Sequence, residues 1–115
     1  MIKNQGEDID FMLNFDSSLS EDIQSFDDCD EVIVYVYTNK FRPVKFSDVV
    51  REGYIGMLKV DSTHRAGLIP ASITKLMQVG DVYCDVMLVK DGRRAVEVTY
   101  ESGVHLDPSK IKEEA

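Results

Sequence analysis

Two apolar-alternating runs, Val82 to Lys90 and Arg93 to Glu101, are separated by nothing but Asp91-Gly92. A two-residue type I′ turn needs positive φ at both central residues, and Asp-Gly is among the pairs that adopt it at least cost. The chain therefore doubles back on itself here as a tight hairpin. On the first arm Val82, Cys84, Val86 and Leu88 share one face, which makes Cys84 a core thiol. On the second arm Val96, Val98 and Tyr100 share a face, with Arg94, Glu97, Thr99 and Glu101 on the other side or at the edge.

The same period of two recurs elsewhere. In the segment from Gly6 to Asp16, Ile9, Phe11, Leu13 and Phe15 alternate with Asp10, Met12 and Asn14, the pattern of a half-buried strand. Val32, Val34 and Val36 alternate with Ile33, Tyr35 and Tyr37 in a run of β-favouring side chains, which predicts a central strand up to Thr38. Phe41 to Phe46 contains Pro43, which has no ladder donor, so an edge position is expected. Ile55 to Val60 and Gly67 to Ala71 read as a hairpin around the polar turn Asp61 to Ala66, and Val104 to Leu106 as a last short strand.

Helix is confined to single turns. One is expected near Leu19 and Ile23, capped by Ser18 or Ser20, and another between Ser72 and Asp81, with Leu76 as a core anchor. Short strands at close spacing leave a sandwich or a small barrel, and strand number with chain length favours the sandwich. The expectation is an all-β, immunoglobulin-like β-sandwich of about seven to eight antiparallel strands. It forms one domain over residues 1–115, with its core at about 6–106 and a polar tail at 107–115.

A chain of 115 residues supplies one core, not two. Its net charge of −8 is concentrated at the front, where residues 1–31 carry ten acids against Lys3. The basic residues, Lys40, Arg42, Lys45 and the pair Arg93 and Arg94, are too scattered to track a phosphate backbone, so nucleic acid is excluded as a partner. No apolar run approaches the ~20 residues of a membrane span. The start also lacks a signal peptide's apolar stretch, so no membrane partner and synthesis in a cytoplasm are expected.

Catalytic, cofactor-binding and metal-binding residues are each expected to be none. The two histidines, His64 and His105, fall in a turn and near the terminus, and His64 beside Ser62, Thr63, Arg65 and Asp61 reads as part of an exposed hairpin turn. Cys29 is surrounded by Asp27, Asp28, Asp30 and Glu31, whose charges oppose a thiolate. The same four acids are hard oxygen donors, yet they match no calcium loop and read as a solvated acidic segment.

Cys29 and Cys84 lie far enough apart for an inter-sheet disulfide. However, no Trp is present and Tyr83 is directly beside Cys84, so two free thiols are expected. Neither the cysteines nor the histidines form a close pair that could nucleate a zinc site. The glycines are dispersed, so no phosphate-cradling loop exists. Tyr35, Tyr37, Phe41, Tyr54, Tyr83 and Tyr100 read as packing aromatics, with a carbohydrate platform as the rival reading if they prove exposed on one face.

The order of features, Gly6-Glu7-Asp8-Ile9-Asp10-Phe11, the central β run, then Leu76-Met77-Gln78-Val79-Gly80-Asp81-Val82-Tyr83-Cys84-Asp85-Val86 and the Asp91-Gly92 hairpin, resembles the N-terminal domain of phage baseplate upper proteins and related prophage structural proteins. In those domains a Leu, a turn, then Gly-x-Tyr lead into a strand. Gly80 and Tyr83 fill that step; family members often continue into a longer fibre or receptor-binding region, and a stand-alone virion subunit or small accessory protein is expected here.

The resemblance implies a non-enzymatic structural or assembly subunit of a tail or baseplate, located in the virion. Its partners would be other virion or assembly proteins, with self-association open. An immunoglobulin-like adhesion or carbohydrate-binding module is the alternative, and a small enzyme or calcium-dependent binder would require His64 and the Asp27–Glu31 segment to converge.

Overall fold

The computed structural model describes residues 1–111 of the chain. Its strands are β1 (Ile2–Asn4), β2 (Ile9–Asn14), β3 (Glu31–Tyr37), β4 (Val44–Ser47), β5 (Ile55–Gly56), β6 (Leu58–Asp61), β7 (His64–Ile69), β8 (Gly80–Lys90) and β9 (Arg93–Asp107), with one α-helical turn, α1 (Ala71–Thr74), and one 3-10 turn (Phe26–Asp28). They form a large sheet in the order β1-β9-β8-β3-β4-β5 and a small sheet in the order β2-β7-β6. The fold is the expected all-β sandwich, divided unequally between its layers.

The hairpin forms as its turn dictates. Asp91 and Gly92 have φ of 53° and 72°, and β8 pairs β9 from Lys90↔Arg93 to Val86↔Val98 and beyond. β3 lies between β8 and β4, and its Val32, Val34 and Val36 are buried with Val86 and Leu88 in one core. The small sheet closes that core with Ile9 and Ile69. Phe11 crosses to the large sheet, where its ring meets Phe46 edge-on at 5.0 Å. The Phe11 ring also occupies the space where a side chain at Gly67 would begin, so position 67 is glycine because of close approach.

Several features depart from the expected outline, among them β4, which lies between β3 and β5 rather than at an edge because Pro43 falls just before the strand and costs it no ladder donor. Nine strands form instead of seven or eight, and two pairs, β1 with β9 and β4 with β5, are parallel. Ile2-Lys3-Asn4 is too short to show periodicity and is held only through pairing with the far end of the chain. Val104 to Leu106 is not a separate strand, because Gly103 at φ 75° and the Ser102 hydroxyl, bonded to the Val82 carbonyl at 2.6 Å, let β9 continue through a bulge. The helical turn expected near Leu19 and Ile23 forms instead as a 3-10 turn at Phe26–Asp28, with Ser25 as its N-cap.

Leu76 is the clearest reversal. α1 ends at Thr74, and Leu76 is 77% exposed while Met77 enters the core. Ile73 and Met77 pack against the core, while Leu76, two residues past the end of α1, faces out. Thr74 anchors the turn, giving its hydroxyl to the Glu7 carbonyl at 2.7 Å and accepting from the Gly6 N–H at 3.1 Å. Residues 112–115 of the expected tail lie outside the described residues.

Candidate interaction surfaces

The acidic segment is a set of structural ties. Asp28 accepts the N–H groups of Gln24 and Ser25 at 2.7 and 3.2 Å, Asp30 that of Gly92 at 3.4 Å, and Glu31 the Ser47 hydroxyl at 2.6 Å. Asp27 pairs with Lys59 at 2.8 Å and with Arg65 at 3.2 Å, which hold its carboxyl below the usual range. The solvated reading therefore understates these residues. Asp27 ties its loop to β6 and β7, Asp28 braces the turn it belongs to, Asp30 reaches the β8–β9 turn, and Glu31 links β3 to β4.

Arg65, expected in a polar turn, lies within β7 and is buried. Its guanidinium bonds Asp48 at 3.3 Å and the carbonyls of Asp61 and His64 at 2.7 and 3.1 Å, and it sits 5.2 Å from the Phe26 ring centroid. His64, the next residue along the strand, faces the opposite side. Its Nδ1 meets Asp61 at 2.7 Å and the Thr63 hydroxyl at 3.0 Å, and that carboxyl is lowered to about 2 by the histidine bond. Alternation thus sends Arg65 to the acidic segment and keeps His64 away from it.

A nucleophile–base–acid relay needs the base's two nitrogens divided between acid and nucleophile. At His64 both partners crowd one nitrogen. At His105 the two nitrogens meet Asp81 at 2.7 Å and Asp107 at 3.2 Å, and the Asp81 bond leads in raising its pKa. Neither geometry builds such a relay. Among the described residues, no group of three or more His, Cys, Asp or Glu side chains is arranged to hold a metal ion.

Both cysteines are free. Burial pushes the Cys84 thiol up to about 11, with Asp85 adding to the effect; burial and then Asp28 raise that of Cys29. Of the basic residues weighed as a nucleic-acid patch, Lys40, Arg42, Arg93 and Arg94 are exposed and spread over separate turns and edges, while Lys45 lies 5.7 Å from the Tyr54 ring centroid.

The aromatic residues divide. By the alternation of β3 and β8, Tyr35, Tyr37 and Tyr83 share the outer face of the large sheet. Tyr37 stacks on Tyr83 at 5.9 Å and donates its hydroxyl to Asp85 at 3.0 Å, and Arg51 lies over Tyr54 at 5.1 Å. Tyr100 turns inward toward the core, and Phe41 stands exposed in the β3–β4 connection. Gly80 begins β8 with φ 145°, three residues before Tyr83.

The outer face of the small sheet carries an apolar patch. Met12 pairs with Ala66 and Ala66 with Leu58, placing the three in one row across the sheet. Met12, Leu58 and the neighbouring Leu68 and Val60 are 52, 75, 43 and 54% exposed. Sandwich strands ordinarily turn polar residues outward. Sequence reasoning found these strands but not the patch, because only the β2–β7–β6 register brings residues 12, 58, 66 and 68 together.

No family model and no curated protein matches the chain. Among the described residues, no helix is long and apolar enough to cross a membrane.

Proposed function

We propose that this chain is a non-enzymatic structural or assembly subunit, which works by presenting sandwich surfaces to neighbouring proteins. Its proposed setting is a phage or prophage tail or baseplate, as the resemblance of its Gly80–Tyr83 step and hairpin implies. The observation that carries the assembly reading is the row Met12–Ala66–Leu58 with Leu68 and Val60 beside it. Its exposed area is on the order of 400 Å², the size of patch that is often functional on a soluble domain. A standard interface buries roughly 800 Å² per partner, so this face would form part of a larger contact.

The test is to induce the source bacterium, purify particles on a density gradient and assay them for the chain by mass spectrometry. Recovery in stoichiometric amount with tail proteins is expected. Confinement of the chain to the soluble host fraction would sink the virion setting.

A second reading draws on the shared placement of Tyr35, Tyr37 and Tyr83 on the large sheet, with Arg94 and Glu97 beside Tyr35 and Tyr37 around a shallow depression of about 220 Å³. Rings beside polar groups suit a carbohydrate face. Binding on a glycan array that is lost in Tyr35→Ala would favour it over assembly.

A further inference from the structure

The small sheet has three strands against six, and β2 is one of its edges. Beside that edge lies an open groove of about 480 Å³, walled by Phe11, Leu13 and Phe15 and floored by Val34, Cys84 and Tyr100. The inner face of the large sheet is thus only partly covered at β8 and β9.

The edge itself is open to pairing. The Phe15 N–H bonds the Thr63 carbonyl at 2.8 Å, and the register carries the same phase back through Leu13↔Arg65, Phe11↔Gly67 and Ile9↔Ile69. Backbone groups alternate sides along an antiparallel strand, so those of Asp10, Met12 and Asn14 point away from β7. β2 has no second neighbouring strand among the described residues. The groove lining also contains Asp16 and Glu101 but no Lys, Arg or His.

We propose that this groove takes an extended segment of a partner protein as a fourth strand on β2. The segment alternates apolar residues, turned onto Cys84 and Tyr100, with Lys or Arg turned toward Asp10 and the Asp16–Glu101 rim. Main-chain bonds along the edge supply affinity, and alternate side chains supply selectivity. The six residues of β2 accommodate a segment of about 20 Å. A second copy is the poorer occupant, because the chain carries −8 and pairing β2 with β2 would set Asp10 and Asp16 of each copy near those of the other. The inference rests on the assembly reading and adds to the Met12–Ala66–Leu58 row a second contact through which it works.

The probe is a capped ten-residue peptide alternating Val with Lys, added to the full chain. Controls are the same residues in two blocks, an alternating Val–Glu peptide, and the Val–Lys peptide N-methylated at every amide. The alternating Val–Lys peptide should bind at least about tenfold more tightly than each control and slow hydrogen exchange at Asp10, Met12 and Asn14. Asp16→Lys combined with Glu101→Lys should move the preference toward the Val–Glu peptide by about tenfold.

Equal binding of the N-methylated peptide, or protection elsewhere on the chain, overturns the proposal; the peptide comparison needs no altered protein. Protection of the same amides that grows with protein concentration, together with a dimer in sedimentation, overturns it in favour of a second copy. Peptide binding by a chain absent from particles removes the virion setting and leaves the groove. Failure to bind by a chain present in particles removes the groove alone.

Discussion

Arg65→Ala should be among the most damaging single changes in the chain. The guanidinium is 4% exposed and supports Asp48, which is itself 16% exposed and accepts the Val32 N–H at 2.8 Å. Truncation leaves that carboxylate without its cation and strips a donor from the carbonyls of Asp61 and His64. It also removes the group that lies over Phe26. Breaking one side of a buried, hydrogen-bonded ion pair costs about 3–5 kcal/mol. With a urea dependence of about 1.5 kcal/mol per molar, the unfolding midpoint should fall by roughly 2–3 M.

Arg65→Lys keeps the charge but loses the planar fork, and its midpoint should fall between wild type and Arg65→Ala. Lys59→Ala, which touches the same Asp27 from an exposed position, should leave the midpoint within error and serves as the control. Urea denaturation followed by far-UV circular dichroism reads all three. An Arg65→Ala midpoint equal to that of Lys59→Ala would refute the argument that burial gives this cluster its weight.

Three further outcomes follow from the fold. Val86→Ala removes two methyl groups from a buried site and should cost about 1–3 kcal/mol in chemical denaturation, whereas Met12→Ala at an exposed site should cost less. A thiol reagent on native protein near neutral pH should modify Cys29 before Cys84, whose pKa of about 11 leaves little thiolate; the reverse order would contradict the burial of Cys84. His105 has a folded pKa raised above 6.5 by Asp81, so its stabilising contribution is complete below 6.5 and is lost as pH rises through the raised value. An NMR titration should show the raised midpoint, and Asp81→Asn should lower it.

The parts legible in the sequence were those set by neighbouring residues. Asp91-Gly92 specifies its own turn, and the alternations in β2, β3 and β8 specify which side of each strand is apolar. Leu76 was misplaced because the phase of a single helical turn depends on where it begins, and α1 begins against Asp8, which accepts the Ala71 N–H at 2.7 Å. β1 was invisible because its strand character comes from β9, more than a hundred residues away. Arg65 reads as a turn residue because the whole run from Asp61 to Ala66 is polar or small, and only the fold brings two carboxylates and two carbonyls to its guanidinium.

Register links this arginine to the surface that carries the proposed function. A strand slipped by one residue turns every side chain to the opposite face. Such a slip of β7 would place Ala66 and Leu68 in the core and expose Arg65, Gly67 and Ile69, thereby dissolving the apolar row. The hydrophobic pattern alone resists this only weakly, since Ala66 and Leu68 are as apolar as Gly67 and Ile69. Asp48 and Asp27, anchored on the connections that cover the core, accept Arg65 in one register and lose its guanidinium in the other. The buried ion cluster therefore pins the side of β7 that faces outward, and with it the row Met12–Ala66–Leu58.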